Sequence, residues 1–228
     1  MFRTHVRRVT TGRKPRALLS GAVVSFFGYL ALAALAAQQQ FTALDHGTRT
    51  WIWLLRHETP RLPFQLVTHL GDFIGVVLLI AVGMVLLWRR RRRWALSLPA
   101  LMAGAGALRW LAKRASGLPR PDLAPWGFPS GHVLSLVVFF GLMIYLIATA
   151  SRRRRRWRAL ACFVCLMAVL VVALSRLYLD RHWLSDLVGG FSVGVAYLLI
   201  AIWVVEIVWT EPGLRAKERG GIDLRAQG

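Results

Sequence analysis

RRRRRWRALACFVCLMAVLVVALSRLYLDRHWLSD, residues 152–186, carries in one stretch the features that decide the fold. A block of arginines comes first, then an apolar run over about 158–178. A polar segment with Ser175, Arg176, His182 and Asp186 follows, just before the next apolar run. A helix needs roughly 20 apolar residues to cross the ~30 Å hydrocarbon core of a bilayer. The run is that long, so the arginines and the polar segment fall on opposite sides of a membrane.

The same order recurs upstream, where RRRRRWALSLPALMAG (89–104) opens another apolar run. Nothing else repeats at that offset, so the likeness reflects a shared topological demand, not a duplication. Apolar stretches at about 17–39, 64–88, 94–112, 131–150, 158–178 and 186–209 make six candidate spans with short connections. The chain is 56% hydrophobic with 18% charged residues, so its charges are segregated. The expectation is an all-α membrane bundle of six helices, a single domain over 1–228.

A net charge of +20 would suggest nucleic acid in a soluble protein. Here the cations sit at span ends instead. Arg3, Arg7, Arg8, Arg13, Lys14 and Arg16 precede the first span, and Arg89 to Arg93 follow the second. Arg152 to Arg156 and Arg158 separate the fourth and fifth, while Arg215, Lys217, Arg219 and Arg225 follow the sixth. Basic residues prefer the cytoplasmic side, so both tails, 1–16 and 210–228, are expected in the cytoplasm. The connections after spans one, three and five then face outward. No nucleic-acid partner is expected, since topology and anionic lipid already account for these blocks. The first run is longer than a signal-peptide core and reads as a retained anchor.

The first outward connection, 41–63, places Trp51, Ile52, Trp53, Leu54 and Leu55 between Arg49 and Arg56, a mixture suited to an interfacial helix that Pro60 and Pro63 end. It lines a lipid access route or serves as an anchoring belt. Cys162 and Cys165 lie inside an apolar span and read as packing residues. His69, Asp72 and Glu206 lie near span ends and read as structural.

The chemistry collects in the other two outward connections. These bring Lys113, Arg120, Ser130, His132, Arg176, His182 and Asp186 to one membrane face. Lys113, Arg114, Arg120, Arg176 and Arg181 are cations on the side where the charge rule does not want them, with only Asp122 and Asp180 nearby. A phosphate group answers that imbalance. Ser130 is placed to cap the fourth span and Gly131 to let a ligand approach its backbone, where a helix start offers free N–H groups. His182 and Asp186 are four apart and share a face if both are helical. A carboxylate on one imidazole nitrogen leaves the other able to attack. With His132 as acid and the cations as clamp, the set describes phosphoryl transfer at a polar rim. Two histidines and an aspartate can also bind a metal. The surrounding cations would repel one, so no metal and no cofactor are expected.

Lys113 to Arg120-Pro121, Pro129-Ser130-Gly131-His132, and Ser175-Arg176 with His182 and Asp186 match K-x6-R-P, P-S-G-H and S-R-x5-H-x3-D in order. In these motifs the chain resembles the type 2 phosphatidic acid phosphatase family, over about 113–186. The resemblance implies a phosphohistidine on His182, with Asp186 orienting its ring and His132 protonating the leaving oxygen. It implies a phosphate cradle of Lys113, Arg120, Ser130, Gly131 and Arg176, working without metal. Soluble haloperoxidases share the constellation but lack spans. Implied substrates include phosphatidic acid, phosphatidylglycerol phosphate, polyprenyl pyrophosphates such as undecaprenyl pyrophosphate, and sphingosine-type phosphates. The short loops resemble bacterial members, which places the chain in a plasma (inner) membrane with the site outside. Trp126 and Phe128 are candidates to line the lipid path. A phosphotransferase using the same histidine, and a non-catalytic lipid-phosphate binder or transporter, are the competing readings.

Overall fold

The computed structural model describes residues 13–38, 40, 42–118, 120, 121, 125–150 and 155–223, with backbone alone for 13–15, 42 and 207–223. Among these residues eight α-helices follow one another: α1 (Arg13–Ala37), α2 (Thr42–Glu58), α3 (Leu62–Thr68), α4 (Phe73–Trp88), α5 (Arg92–Ser116), α6 (Gly131–Ala148), α7 (Arg155–Tyr178) and α8 (Leu184–Asp223). Five of them are long and apolar enough to cross a membrane, and α3 with α4 makes a sixth, bent span. The six-span expectation is met, with one correction: the second span is broken.

The break has a local cause. A 3-10 turn, His69–Gly71, follows α3, and Asp72 is extended before α4 starts, so the two halves meet at 61°. The turn folds the His69 carbonyl over the first turn of α4, where a Cβ on Gly75 would lie 2.0 Å from that oxygen. Only glycine fits there. A straight span was expected because 64–88 is almost uniformly apolar, and hydropathy does not register a bend.

α2 is the helix expected in the first connection, and it stops at Glu58, just before Pro60. Trp51, Trp53, Leu54 and Leu55 are exposed on it, while Ile52 and Asp45 are buried. Helices α3 and α4 likewise present Leu66, Phe73, Ile74, Val85 and Leu86 outward. Outward apolar side chains on this scale are what a lipid solvent selects.

The core forms around α6, which packs on α5, α7 and α8. Leu134, Val138 and Leu142 of α6 meet Trp94 and Leu98 of α5 and Val193 and Ile202 of α8. On its other side Val133, Leu136 and Val137 meet Val169 and Val172 of α7. Small residues allow the close approach: Gly194 faces Val137, and Gly141 faces Leu198. At the arginine-rich end, Glu206 receives Arg93 at 3.4 Å and the Tyr145 hydroxyl at 3.2 Å, a structural role as expected. Residues 1–12, Asp122 and Arg152 to Arg154 lie outside the described residues. The backbone of α8 continues to Asp223, through much of the expected tail 210–228.

Candidate active site

The end of α5, the start of α6, the end of α7 and the start of α8 meet at the end of the bundle away from Arg89–Arg93. The α7–α8 connection turns through Asp180, which adopts a left-handed φ of 59°. The Arg181 N–H then donates to the Arg176 carbonyl at 2.9 Å. His182 therefore sits just before α8 and not on it, which corrects the helix-face expectation. Asp186, in the first turn of α8, reaches back. One of its oxygens, Oδ2, accepts the Trp183 N–H at 3.0 Å and lies 3.0 Å from His182 Nδ1. An acid at this helix position that caps a backbone donor is half of a capping box. Here the same oxygen also fixes an imidazole. Both side chains are buried, His182 at 2% and Asp186 at 3% exposure, so His182 is no rim residue.

The start of α6 is tied to α8. The Ser130 N–H donates to the Asp186 carbonyl at 2.9 Å. Gly190 passes so close that a Cβ would sit 2.6 Å from the Ser130 carbonyl oxygen, and one on Gly189 would strike the Phe128 ring. Gly190→Ala should thus push α6 away from His182 and cost about 1–3 kcal/mol, the usual penalty for overfilling a packed contact. The unfolding midpoint in detergent should drop along with phosphate release; an unchanged protein would contradict the geometry.

Ser130 occupies the N-cap position but its hydroxyl makes no capping bond, contrary to expectation. That hydroxyl is wholly buried without a partner, and so is Nε of Arg120. Buried polar atoms are normally paired, so these two, beside one cavity, are suited to bond a polar ligand there. Gly131 leaves room for the stem of Arg109, whose Cδ would lie 2.3 Å from a Cβ there.

The cavity measures about 310 Å³ and is lined by Arg109, Lys113, Arg114, Arg120, Arg176, His132 and His182, with Gly131, Trp110 and Trp126. Among the described residues no carboxylate lines it. Four of the five outward cations expected from the sequence are here; Arg181 is not, and Arg109 is an addition. The signal for Arg109 was available, because it lies one helical turn before Lys113 on α5. Lys113 donates to the carbonyls of Trp126 and Gly127, fixing the α5–α6 connection. Arg176 Nη1 donates to Thr68 Oγ1 of α3 at 3.0 Å. Arg114 stacks over Trp110 at 4.3 Å. Trp126 lines the cavity, but Phe128 does not: it is buried and stacks on Tyr29 of α1.

Asp180, one of the two acids near the cations, is taken elsewhere. Arg49 of α2 grips both its oxygens at 2.9 and 2.7 Å, and that contact pushes the Arg49 pKa up. Asp45 of α2 accepts the Ser185 N–H at 2.9 Å and the Ser185 hydroxyl at 2.7 Å. Burial raises the Asp45 pKa against those two bonds. None of the described α2 side chains lines the cavity, so α2 braces the α7–α8 connection instead of walling the site.

His69 and Asp72 do not stay structural bystanders. Asp72 Oδ1 lies 2.8 Å from His132 Nε2, and Oδ2 lies 2.7 Å from His69 Nδ1. Gly71 makes this possible, since a Cβ there would lie 2.4 Å from the His132 ring. Among the described residues no three His, Cys, Asp or Glu side chains are grouped to hold a metal.

A membrane-embedded helical bundle with a buried histidine–aspartate pair beside a cationic cavity is the arrangement of one known class. Residues 94–209 match the PAP2 superfamily, and the chain belongs to it. Phosphatidylglycerophosphatase B of Bacillus subtilis is 24% identical over 185 residues, covering 75% of this chain and 87% of that one. Lipid phosphate phosphatase delta of Arabidopsis thaliana is 26% identical over 141 residues, covering 53% of this chain and 32% of that longer one. The crystal structure of a transmembrane PAP2-type phosphatidylglycerolphosphate phosphatase from Bacillus subtilis aligns with a TM-score of 0.71 at 22% identity. It covers 86% of this chain and 97% of that one.

Proposed function

We propose that this membrane phosphatase hydrolyses the terminal phosphate of a lipid through a phosphohistidine on His182, with phosphatidylglycerophosphate as the leading substrate. The observation that carries the reading is the cavity, where five cationic side chains and two histidines meet, with no carboxylate among the described residues that line it. Preorganised cations stabilise charge that builds on the phosphoryl oxygens.

In the first step Nε2 of His182 attacks phosphorus, with Asp186 holding Nδ1. The P–O bond to the lipid breaks, and His132 gives its proton to the leaving oxygen. In the second, neutral His132 takes a proton from water as the water oxygen attacks the same phosphorus. The P–N bond breaks, phosphate leaves, and His132 is again protonated. Lys113, Arg120 and Arg176, with the Ser130 hydroxyl and the N-terminus of α6, hold the phosphate throughout. Each charge-assisted contact adds energy and geometry.

Arg109 and Arg114 provide more charge than one phosphate monoester needs. They favour a substrate with a second phosphate group, which phosphatidylglycerophosphate and undecaprenyl pyrophosphate have and phosphatidic acid lacks. The relative named phosphatidylglycerophosphatase B supports the first of these. The arginine blocks support a topology with both termini in the cytoplasm and the site on the outer face of a bacterial plasma membrane.

The test is phosphate release by purified protein against these three lipids, with and without a chelator. Phosphatidylglycerophosphate is expected to turn over fastest, equally well with the chelator present. Release from none of them would sink the phosphatase reading. Loss with chelator that a divalent ion restores would sink the metal-free mechanism. Transfer of the phosphoryl group to an alcohol in preference to water would favour the phosphotransferase.

A further inference from the structure

Asp72 is a residue in an unusual situation twice over. It stands at the N-cap of α4, where an aspartate ordinarily bonds a free helical N–H, yet it makes no such bond. It also stands at the break of a membrane span, where interrupting the helix sacrifices backbone hydrogen bonds that lipid cannot replace. Its carboxylate is committed instead to two imidazoles, His132 at 2.8 Å and His69 at 2.7 Å. Gly71 and Gly75 are both needed for this conformation, one to clear the His132 ring and one to clear the His69 carbonyl.

We infer that Asp72 is a positioning residue for the general acid: it holds Nε2–H of His132 so that Nδ1 carries the proton delivered to the leaving oxygen. This rests on the phosphatase reading. The need is electrostatic. His132 shares its cavity with Arg109, Lys113, Arg114, Arg120, Arg176 and His182, and it lies in the first turn of α6 at the positive end of that helix. Every one of these works against an imidazolium. Among the described residues, Asp72 is the acid in contact with His132; Asp186 is committed to His182. His69 holds the second oxygen of Asp72 and so fixes the direction of the first. The site then contains two carboxylate–histidine pairs, one that aims a nucleophile and one that orients an acid.

The experiment is Asp72→Asn in the full chain, compared on two substrates. Phosphatidylglycerophosphate has an alkoxide leaving group that requires a proton. 4-Nitrophenyl phosphate releases a phenolate that is stable as its anion and needs none. With the lipid, phosphate release should fall by about 10- to 100-fold, the scale of a weakened general acid. With the aryl ester, the first burst of nitrophenolate should keep nearly its normal rate, because phosphorylation of His182 no longer depends on His132. The burst amplitude counts competent sites, so misfolding appears as lost amplitude and not as a slow step. His69→Gln, which removes only the outer contact, should show the same pattern more weakly.

An equal loss on both substrates, or no loss on either, overturns the role given to Asp72. If the unsubstituted protein cleaves neither compound, the phosphatase reading itself fails and takes this one with it.

Discussion

His182→Ala should reduce phosphate release by about four orders of magnitude or more, to the level that binding and charge alone provide. The substitution removes the atom proposed to bond phosphorus, and His132, the base for water in the second step, is occupied in the first as the acid for the leaving oxygen. The protein should still fold. Asp186 retains its bond from the Trp183 N–H, and the braces from Asp45 to Ser185 and from Ser130 to α8 do not involve the lost ring. The cost to stability should be about 1–3 kcal/mol, since one of two partners of a buried carboxylate is gone. Two measurements check this: phosphate release, and an acid-labile phosphoenzyme trapped from labelled substrate. A normal rate in this variant would show that another group attacks.

Asp186→Asn should be nearly as damaging while changing no volume. In the proposed mechanism one oxygen accepts from both Trp183 and His182, which keeps the proton of the imidazole on Nδ1 and the lone pair on Nε2. An asparagine must decide how to point. With its oxygen on the Trp183 N–H, its amide can offer a hydrogen to Nδ1. The ring is then driven into the tautomer with hydrogen on Nε2, which cannot attack. A loss of roughly 10³- to 10⁴-fold is expected, the scale seen when a histidine loses its orienting carboxylate. The loss should fall on kcat with little change in KM, because the cationic cradle is intact. A variant with full kcat would mean that Asp186 serves only the helix cap.

Much of this site was legible from spacing. The histidines, Asp186 and the cradle cations are fixed by short motifs at the ends of apolar runs, and topology brings such ends together. The six spans were legible because hydrophobic length is a blunt requirement. What escaped the sequence depends on long-range contact or on a bend. Asp72 precedes His132 by 60 positions, and hydropathy treats it as a polar residue near an interface. Ser130 matched the N-cap pattern, but the pattern does not say whether the hydroxyl is spent on the helix or kept for a ligand. Phe128 and Trp126 are two aromatics two residues apart in one loop. Packing against Tyr29 takes one of them inward, and no local rule predicts which.

The Asp45–Ser185 contact spans 140 positions. It means that the segment between the first two spans cannot be treated as an interchangeable loop. Anyone exchanging it with a relative's segment to alter lipid preference would be replacing part of the mount on which the proposed nucleophile stands. A graft that carries acid at 45 and arginine at 49 leaves Ser185 and Asp180 seated. One without them exposes two hydrogen-bond donors and leaves Asp180 without its bidentate partner a few residues from His182, and its lost turnover would be misread as altered selectivity.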